Sequence, residues 1–177
     1  MRRIMGGIRG RGSGTEGIHI YKMTEKLVSI GDDYWIEDET GQRVYCIDGK
    51  TLRIRDTLIL KDSQGNVLYR LREKLLRIRD TMDIENANGG TAATIKKALI
   101  TPLRDRWGIE VANGPELNVQ GNILDHEYRI QEGRKRIAGV SKKWFRVRDT
   151  YGVEILPGQD NALILAITVA LDQMAHS

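Results

Sequence analysis

The sequence predicts a mainly β fold, a closed twelve-stranded β-barrel built from six hairpin repeats around a central hydrophobic C-terminal α-helix. Three observations carry that expectation: a hexapeptide that recurs, an aspartate-to-glycine spacing that recurs with it, and a C-terminal segment that is apolar on every side. The hexapeptide LRIRDT occupies residues 52–57, returns unchanged at 76–81 and is paraphrased as FRVRDT at 145–150. Asp32, Asp56 and Asp80 are 24 residues apart, and so are Gly41, Gly65 and Gly89. The nine-residue offset from aspartate to glycine recurs, after a one-residue slip, in Asp105 to Gly114 and again in Asp149 to Gly158. A sixth, degenerate copy fits between Gly114 and Asp149, where HEYRIQEGRKRIAGV (126–140) supplies a run, a glycine turn and a second run.

Within a unit the period is two. Leu52, Ile54, Leu58 and Leu60 share one phase while Arg53, Arg55, Thr57 and Ile59 share the other, as in a half-buried strand. Each glycine sits in turn chemistry (DETGQ, DSQGN, NANGG, ANGP, LPGQ), and a second short strand such as VLYRL (67–71) is expected to follow it. Six hairpins make twelve strands. A leucine-rich solenoid would need a recurring asparagine and one strand per repeat, and two hairpins per blade would give a propeller fewer blades than the usual minimum of about four.

The C-terminal stretch DNALILAITVALDQMAHS (160–177) decides between an open and a closed sheet. Asp160 or Asn161 is a good N-cap, and Ala162 to Leu171 are apolar except for Thr168, so a helix over 161–174 must be enclosed all round. Its apolar run is far short of the roughly 20 residues a bilayer span requires. A barrel of about eight strands fills itself with side chains, whereas twelve strands leave a hollow that such a helix can plug, and closure removes the exposed sheet edges.

The recurring aspartates, Asp32, Asp56, Asp80, Asp105 and Asp149, fall on the inward phase. A ring of them around a cation is one reading. The favoured one is that each marks a strand bend, its carboxylate accepting backbone N–H groups or pairing with a nearby arginine, because unpaired buried carboxylates are prohibitively costly.

Composition limits the function classes. The formal charge of +4 is matched by Arg2, Arg3, Arg9 and Arg11 alone, and the remaining 24 basic and 24 acidic residues cancel. The basic balance therefore describes an N-terminal tail, residues 1–17, expected to be disordered and Arg/Gly-rich, ahead of one barrel domain over 18–177. A globally basic nucleic-acid surface is disfavoured. The single Cys46 excludes an internal disulfide and reads as a small strand residue, the N-terminus has no apolar segment of a signal peptide, and the expected compartment is the cytoplasm.

Residues 23–50, MTEKLVSIGDDYWIEDETGQRVYCIDGK, followed by LRIRDTLILKDSQGNVLYRLREKLLRIRDTMDI, resemble the LURP-one-related proteins of the tubby C-terminal-like superfamily, which has phospholipid scramblases as further relatives. The resemblance covers about residues 21–174 and rests on the KLxSIGDDY opening, the IDGK end of the first unit and the LRIRDT units, which occur together and in order. It implies a twelve-stranded barrel around a central helix and a binding role without catalysis. Tubby domains bind phosphoinositide headgroups through clustered lysines and arginines, but no linear motif carries those positions onto this chain.

Catalytic signatures are missing: there is no GxSxG, Walker A or HExxH, and the three histidines are His19, His126 and His176. His126, beside Asp125 and Glu127, reads as a surface or packing residue before it reads as a base or ligand. No catalytic residue, cofactor or metal is expected. Charge asymmetry says more, because residues 27–50 hold six acids against two bases whereas 125–148 hold three acids against eight bases. Within the basic segment, Arg134, Lys135, Arg136, Lys142 and Lys143 form the expected ligand site, with GRKR and SKKWFRVR close together and Trp144 between the charges. The expected partner is an anionic lipid headgroup at a membrane surface, with a protein partner for the acidic unit as a second reading and nucleic acid bound through the arginine tail and the basic patch as a third.

Overall fold

A computed structural model describes residues 17–25, 33–49, 57–74, 81–101 and 104–176, with backbone alone at 74, 98–101 and 104–106. Among the described residues there are twelve strands: β1 (His19–Thr24), β2 (Tyr34–Asp38), β3 (Arg43–Asp48), β4 (Thr57–Asp62), β5 (Val67–Lys74), β6 (Thr81–Asn86), β7 (Thr91–Thr101), β8 (Arg104–Val111), β9 (Glu116–Asn122), β10 (Glu127–Glu132), β11 (Lys135–Ser141) and β12 (Thr150–Ile155). A helix, α1 (Asn161–Ala175), follows them. Every strand pairs antiparallel with its neighbours in chain order, and β1 pairs β12 from His19 opposite Ile155 to Thr24 opposite Thr150, which closes the barrel. The expected fold class is observed.

The hairpin count differs from the expectation even though the strand count agrees. Five hairpins are present (β2–β3, β4–β5, β6–β7, β8–β9 and β10–β11), and the remaining pair joins the first strand to the last. The turn at Gly158 therefore leads from β12 into the helix and opens no hairpin. Within β4, Leu58 and Leu60 are buried and Ile59 is half-buried, as the period of two requires. Residues 52–56 and 76–80 of the two LRIRDT copies lie outside the described residues, while Thr57 and Thr81 open β4 and β6.

FRVRDT departs from the pattern. Residues 145–149 form no strand, Asp149 adopts φ +59°, and β12 begins only at Thr150. Trp144 and Phe145 lie against the backbone of Gly152, which draws the segment back over the barrel wall and breaks its alternation. Asp149 is exposed with the Arg148 Nε 3.9 Å away, so at this position the strand-bend reading fits and an inward carboxylate does not. Asp32, Asp56 and Asp80 lie outside the described residues, as does the Asp105 side chain.

The 24-residue ruler has a physical basis at the end of the barrel that carries the five hairpin turns, the turn end. Asp38 Oδ1 accepts N–H bonds from Thr40 and Gln42, Asp62 Oδ1 from Gln64 and Asn66, and Asn86 Oδ1 from Asn88 and Gly90. Three residues after each, Gly41, Gly65 and Gly89 take φ near +81°, +88° and +87°, a conformation that only glycine adopts freely. The same spacing carries a row of tyrosines, Tyr21, Tyr45 and Tyr69, which pair in register with Asp38, Asp62 and Asn86. Tyr69 donates to the N-cap carboxylate of Asp160 at 2.7 Å, and Tyr21 accepts from Asn161 at 2.9 Å, so the row anchors the start of α1.

Helix α1 runs from there to the opposite end, the loop end, where the β9–β10 and β11–β12 connections lie. Every residue from Ile164 to Asp172 is buried, including Thr168, whose hydroxyl donates to the Ile164 carbonyl. Leu165, Ile167 and Leu171 are 0% exposed and join Ile36, Ile84, Ile95, Ile109, Ile130 and Val153 in one core. Burial on all sides is what an all-apolar helix needs. No helix among the described residues is long and apolar enough to cross a membrane.

Candidate functional site

The five cations expected to form one site do not converge. Arg134 lies in the β10–β11 turn and Lys135 opens β11 at the turn end, whereas Lys142 and Lys143 follow β11 at the loop end, roughly 20 Å away at about 3.3 Å per strand residue. Arg136 and Lys142 are also engaged, with Arg136 Nη2 2.5 Å from Glu154 Oε1 and Lys142 Nζ 2.9 Å from Glu25 Oε1. Arg134, Lys135 and Lys143 have no carboxylate within ion-pair reach among the described residues. The expected focus is thus a strip along the outside of β11.

The β11–β12 connection gives that strip its shape. Ser141 accepts the Lys143 N–H and starts a single 3-10 turn, Lys142–Trp144, while the Glu127 carboxylate accepts from the Ser141 hydroxyl at 2.9 Å and from the Lys142 N–H at 3.2 Å. The chain then turns back over the barrel wall. There the outward positions of β11 and β12 are Gly139 and Gly152, and a Cβ on Gly152 would stand 2.7 Å from the Trp144 ring and 2.9 Å from that of Phe145. At Gly139 the same test finds Trp144 on one side and the Arg136 guanidinium on the other, each at 3.3 Å. Trp144 and the Arg136 guanidinium thus both border Gly139, and the Trp144 ring rests on a floor of two glycines. The pairing of IAGVS with YGVE was the available signal for that floor.

Beyond Trp144 the chain alternates cation and apolar side chain: Arg146, Val147, Arg148. Val147 is 59% exposed and Trp144 38%, and Leu124 in the β9–β10 turn is 57% exposed. Of the four large apolar residues exposed among the described residues, three occupy the loop end, and only Ile18 is at the other. Leu124 was not anticipated, because an isolated leucine in NILDHE reads as turn filling.

Inside the same end lies a buried polar cluster. His126 adopts φ +52°, a left-handed conformation costing an L-residue about 1 kcal/mol, and thereby turns its ring into the barrel. Its Nε2 stands 2.8 Å from Asp172 Oδ1, its ring stacks on Tyr151 at 4.2 Å, and His176 Nδ1 approaches the same carboxylate at 3.4 Å. Burial, and then the charge of Asp172, pushes the hydroxyls of Tyr34, Tyr128 and Tyr151 well above their ordinary range. The packing reading of His126 is the one observed. Asp172 follows Thr168 by four residues, so both share one helix face, and that pair was the sign of a polar partner inside the barrel. Among the described residues, no group of three or more His, Cys, Asp or Glu side chains is arranged to hold a metal ion. Cys46 is a buried strand residue in β3, and burial raises its thiol pKa.

Comparison with curated proteins finds no significant match. Among solved structures, the chain is similar to a protein of Arabidopsis thaliana determined by X-ray crystallography, with a TM-score of 0.67 and 18% identity over 90% of this chain and 93% of that one. At that identity the likeness establishes the fold, a barrel with a C-terminal helix, and nothing finer. The sequence model described as LURP-one-related matches residues 19–172, which takes in every described strand and nearly all of α1. On the strength of that match, the chain belongs to the LURP-one-related family.

Proposed function

We propose that this barrel is a non-catalytic binding protein for anionic phospholipid headgroups, acting in the cytoplasm as a peripheral protein at a membrane surface. The observation that carries the reading is the run Lys143–Arg148, in which Lys143, Arg146 and Arg148 alternate with exposed Trp144 and Val147 on the outside of the barrel. Cations interleaved with apolar groups match a surface of phosphates over hydrocarbon, and each basic residue near an anionic leaflet contributes about 1 kcal/mol. Arg134, Lys135, Arg136 and Lys142 belong to the strip. Of these, Arg136 and Lys142 already have the carboxylates of Glu154 and Glu25, and Arg134 and Lys135 lie at the other end of β11 from the Lys143–Arg148 run, so Lys143 and Arg146 contribute most.

The test is sedimentation of the full chain with vesicles of phosphatidylcholine alone, or with added phosphatidylserine and phosphoinositide. Binding is expected only to the anionic vesicles and should weaken as salt rises, because exposed charges are screened beyond about 8–10 Å. Lys143→Glu with Arg146→Glu should weaken it far more than Lys61→Glu with Lys96→Glu, since Lys61 and Lys96 are held by Asp48 and Glu110 on other faces. All variants carry the same arginine tail, whose contribution cancels in the comparison. An intact chain that ignores anionic vesicles would overturn the reading and favour a protein partner for the acidic first unit.

A further inference from the structure

The strip along β11 leaves open which way the barrel faces the lipid, and the exposed apolar residues answer that. We propose that the protein docks end-on, with the loop end in the bilayer interface: Val147 and Leu124 enter between the headgroups, Trp144 lies at their level, and Lys143, Arg146 and Arg148 hold the phosphates around them. The inference rests on the phospholipid reading above and adds the orientation and the inserting residues.

Several features of the loop end support it together. Val147 and Leu124, each more than half exposed, come from two connections that the Glu127 carboxylate ties to one another, since Glu127 opens β10 just after the Leu124 turn and accepts from Ser141 and Lys142 at the start of the other. The β11–β12 connection is fixed at its far end as well, because the Asp149 carbonyl accepts the Glu25 N–H at 2.8 Å and the Val147 carbonyl accepts the Thr150 hydroxyl at 2.6 Å. Val147 is therefore held out from the wall by bonds on both sides, with little ordering left to occur on binding. Trp144, seated on Gly139 and Gly152 with part of its ring uncovered, has the half-wet placement that tryptophan adopts at lipid interfaces. The turn end offers a more polar surface, where three of the five turns hold an Asp38, Asp62 or Asn86 side chain in hydrogen bonds to their own backbone and Ile18 is the one large apolar residue exposed among the described residues. Its cations Arg134 and Lys135 would stand clear of the bilayer in the end-on pose.

The experiment uses the full chain and vesicles of phosphatidylcholine with phosphatidylserine, some carrying brominated acyl chains. Val147→Asp with Leu124→Asp is expected to weaken partitioning at least about tenfold, from the apolar area kept in water. Both positions are exposed, so the melting temperature should stay that of the wild type. Arg134→Glu with Lys135→Glu should change partitioning less than about twofold, within the screened long-range contribution. In a Trp35→Phe background, brominated chains should quench tryptophan emission, and adding Trp144→Phe should abolish the quenching, because Trp35 is half-buried in β2 whereas Trp107 is buried in the core. Wild-type partitioning by the aspartate variant, or no quenching, would overturn insertion while leaving headgroup binding intact. Equal losses from the Arg134/Lys135 and Lys143/Arg146 pairs would overturn the end-on pose. Failure of the wild type to bind any anionic vesicle would remove both readings, and binding of a single-stranded oligonucleotide in its place would assign the surface to nucleic acid.

Discussion

At the turn end of the barrel three turns repeat one another bond for bond at intervals of 24 residues, and Tyr21 and Tyr69, two of three tyrosines at the same interval, fasten the helix start. At the loop end the two described connections share no such bonding. One turns a histidine inward to a buried aspartate, and the other lays a tryptophan on two glycines and holds a valine in solvent. The difference teaches where this fold builds its frame and where it leaves room for a task. Repeated hydrogen bonds satisfy the turn backbone from within, so that end presents closed, polar surface. Among the described residues the loop end carries most of the features that cost free energy in isolation: two of the three left-handed non-glycine residues, three of the four exposed large apolar groups and the buried Asp172 carboxylate.

Substitutions rank the two ends, and the largest effect belongs to what they share. Leu165→Asp places a carboxylate in the middle of α1, at a side chain that is 0% exposed, and should cost about 4 kcal/mol or more. Circular dichroism should show loss of cooperative unfolding. A soluble variant melting like the wild type would mean that the helix is not the core of the barrel. Next comes Asp172→Ala, which strands the His126 ring in the interior. The expected loss is about 3 kcal/mol by urea titration, well above the loss from Asp38→Ala at the exposed turn end. Equal losses would erase the contrast between the ends.

Alkaline pH should act on tyrosines at both ends. Tyr34, Tyr128 and Tyr151 surround Asp172, and burial followed by that charge raises their pKa values above the ordinary 10.0. A group whose folded pKa exceeds its unfolded value contributes stability that is intact below the unfolded value and lost as pH climbs past it. Stability should therefore be level up to about pH 10 and fall above it. At the turn end Tyr45 is pushed up to about 12 by burial and then by neighbouring Tyr21, so it adds to the same fall. Tyr34→Phe should reduce the slope of stability against pH above 10, measured by urea titration at several pH values, and an unchanged slope would show that this tyrosine does not titrate in the unfolding equilibrium.

These contrasts also explain what the sequence disclosed. The barrel was legible because its evidence is periodic: Leu58 and Leu60 face inward as their phase requires, glycines recur where left-handed turns are needed, and an all-apolar helix has nowhere to go but inside. The same ruler misled once it was carried past Gly114. FRVRDT has the letters of a strand, but Gly139 and Gly152 supply a floor for Trp144 and Phe145, and ring packing outweighs alternation there. The expected convergence of the five cations was misread for a related reason. Arg134 and Lys143 are nine residues apart in the chain, and only the direction of β11 sends them to opposite ends of the barrel. The Asp172–His126 contact joins residues 46 apart, which no local pattern encodes.

The smallest expected effect compares two left-handed positions, one at each end. Gly65 takes φ +88° with open space around a would-be Cβ, so Gly65→Ala meets no clash and costs only the backbone strain of an L-residue, about 1 kcal/mol. Asp149 already accepts that strain at φ +59°. Replacing it with glycine relieves the strain but loosens the unfolded chain by a comparable amount, about 0.4–1 kcal/mol, so the stability of Asp149→Gly should stay within about 0.5 kcal/mol of the wild type. Urea titration of the two variants measures both. A second readout gives the pair its value: Asp149 is the one carboxylate near Arg148 among the described residues, and removing it should strengthen binding to anionic vesicles, while Gly65→Ala leaves binding alone. A glycine at 149 that unfolds the protein would show the bend to be part of the frame, and one that leaves vesicle binding unchanged would show that Arg148 does not reach the lipid.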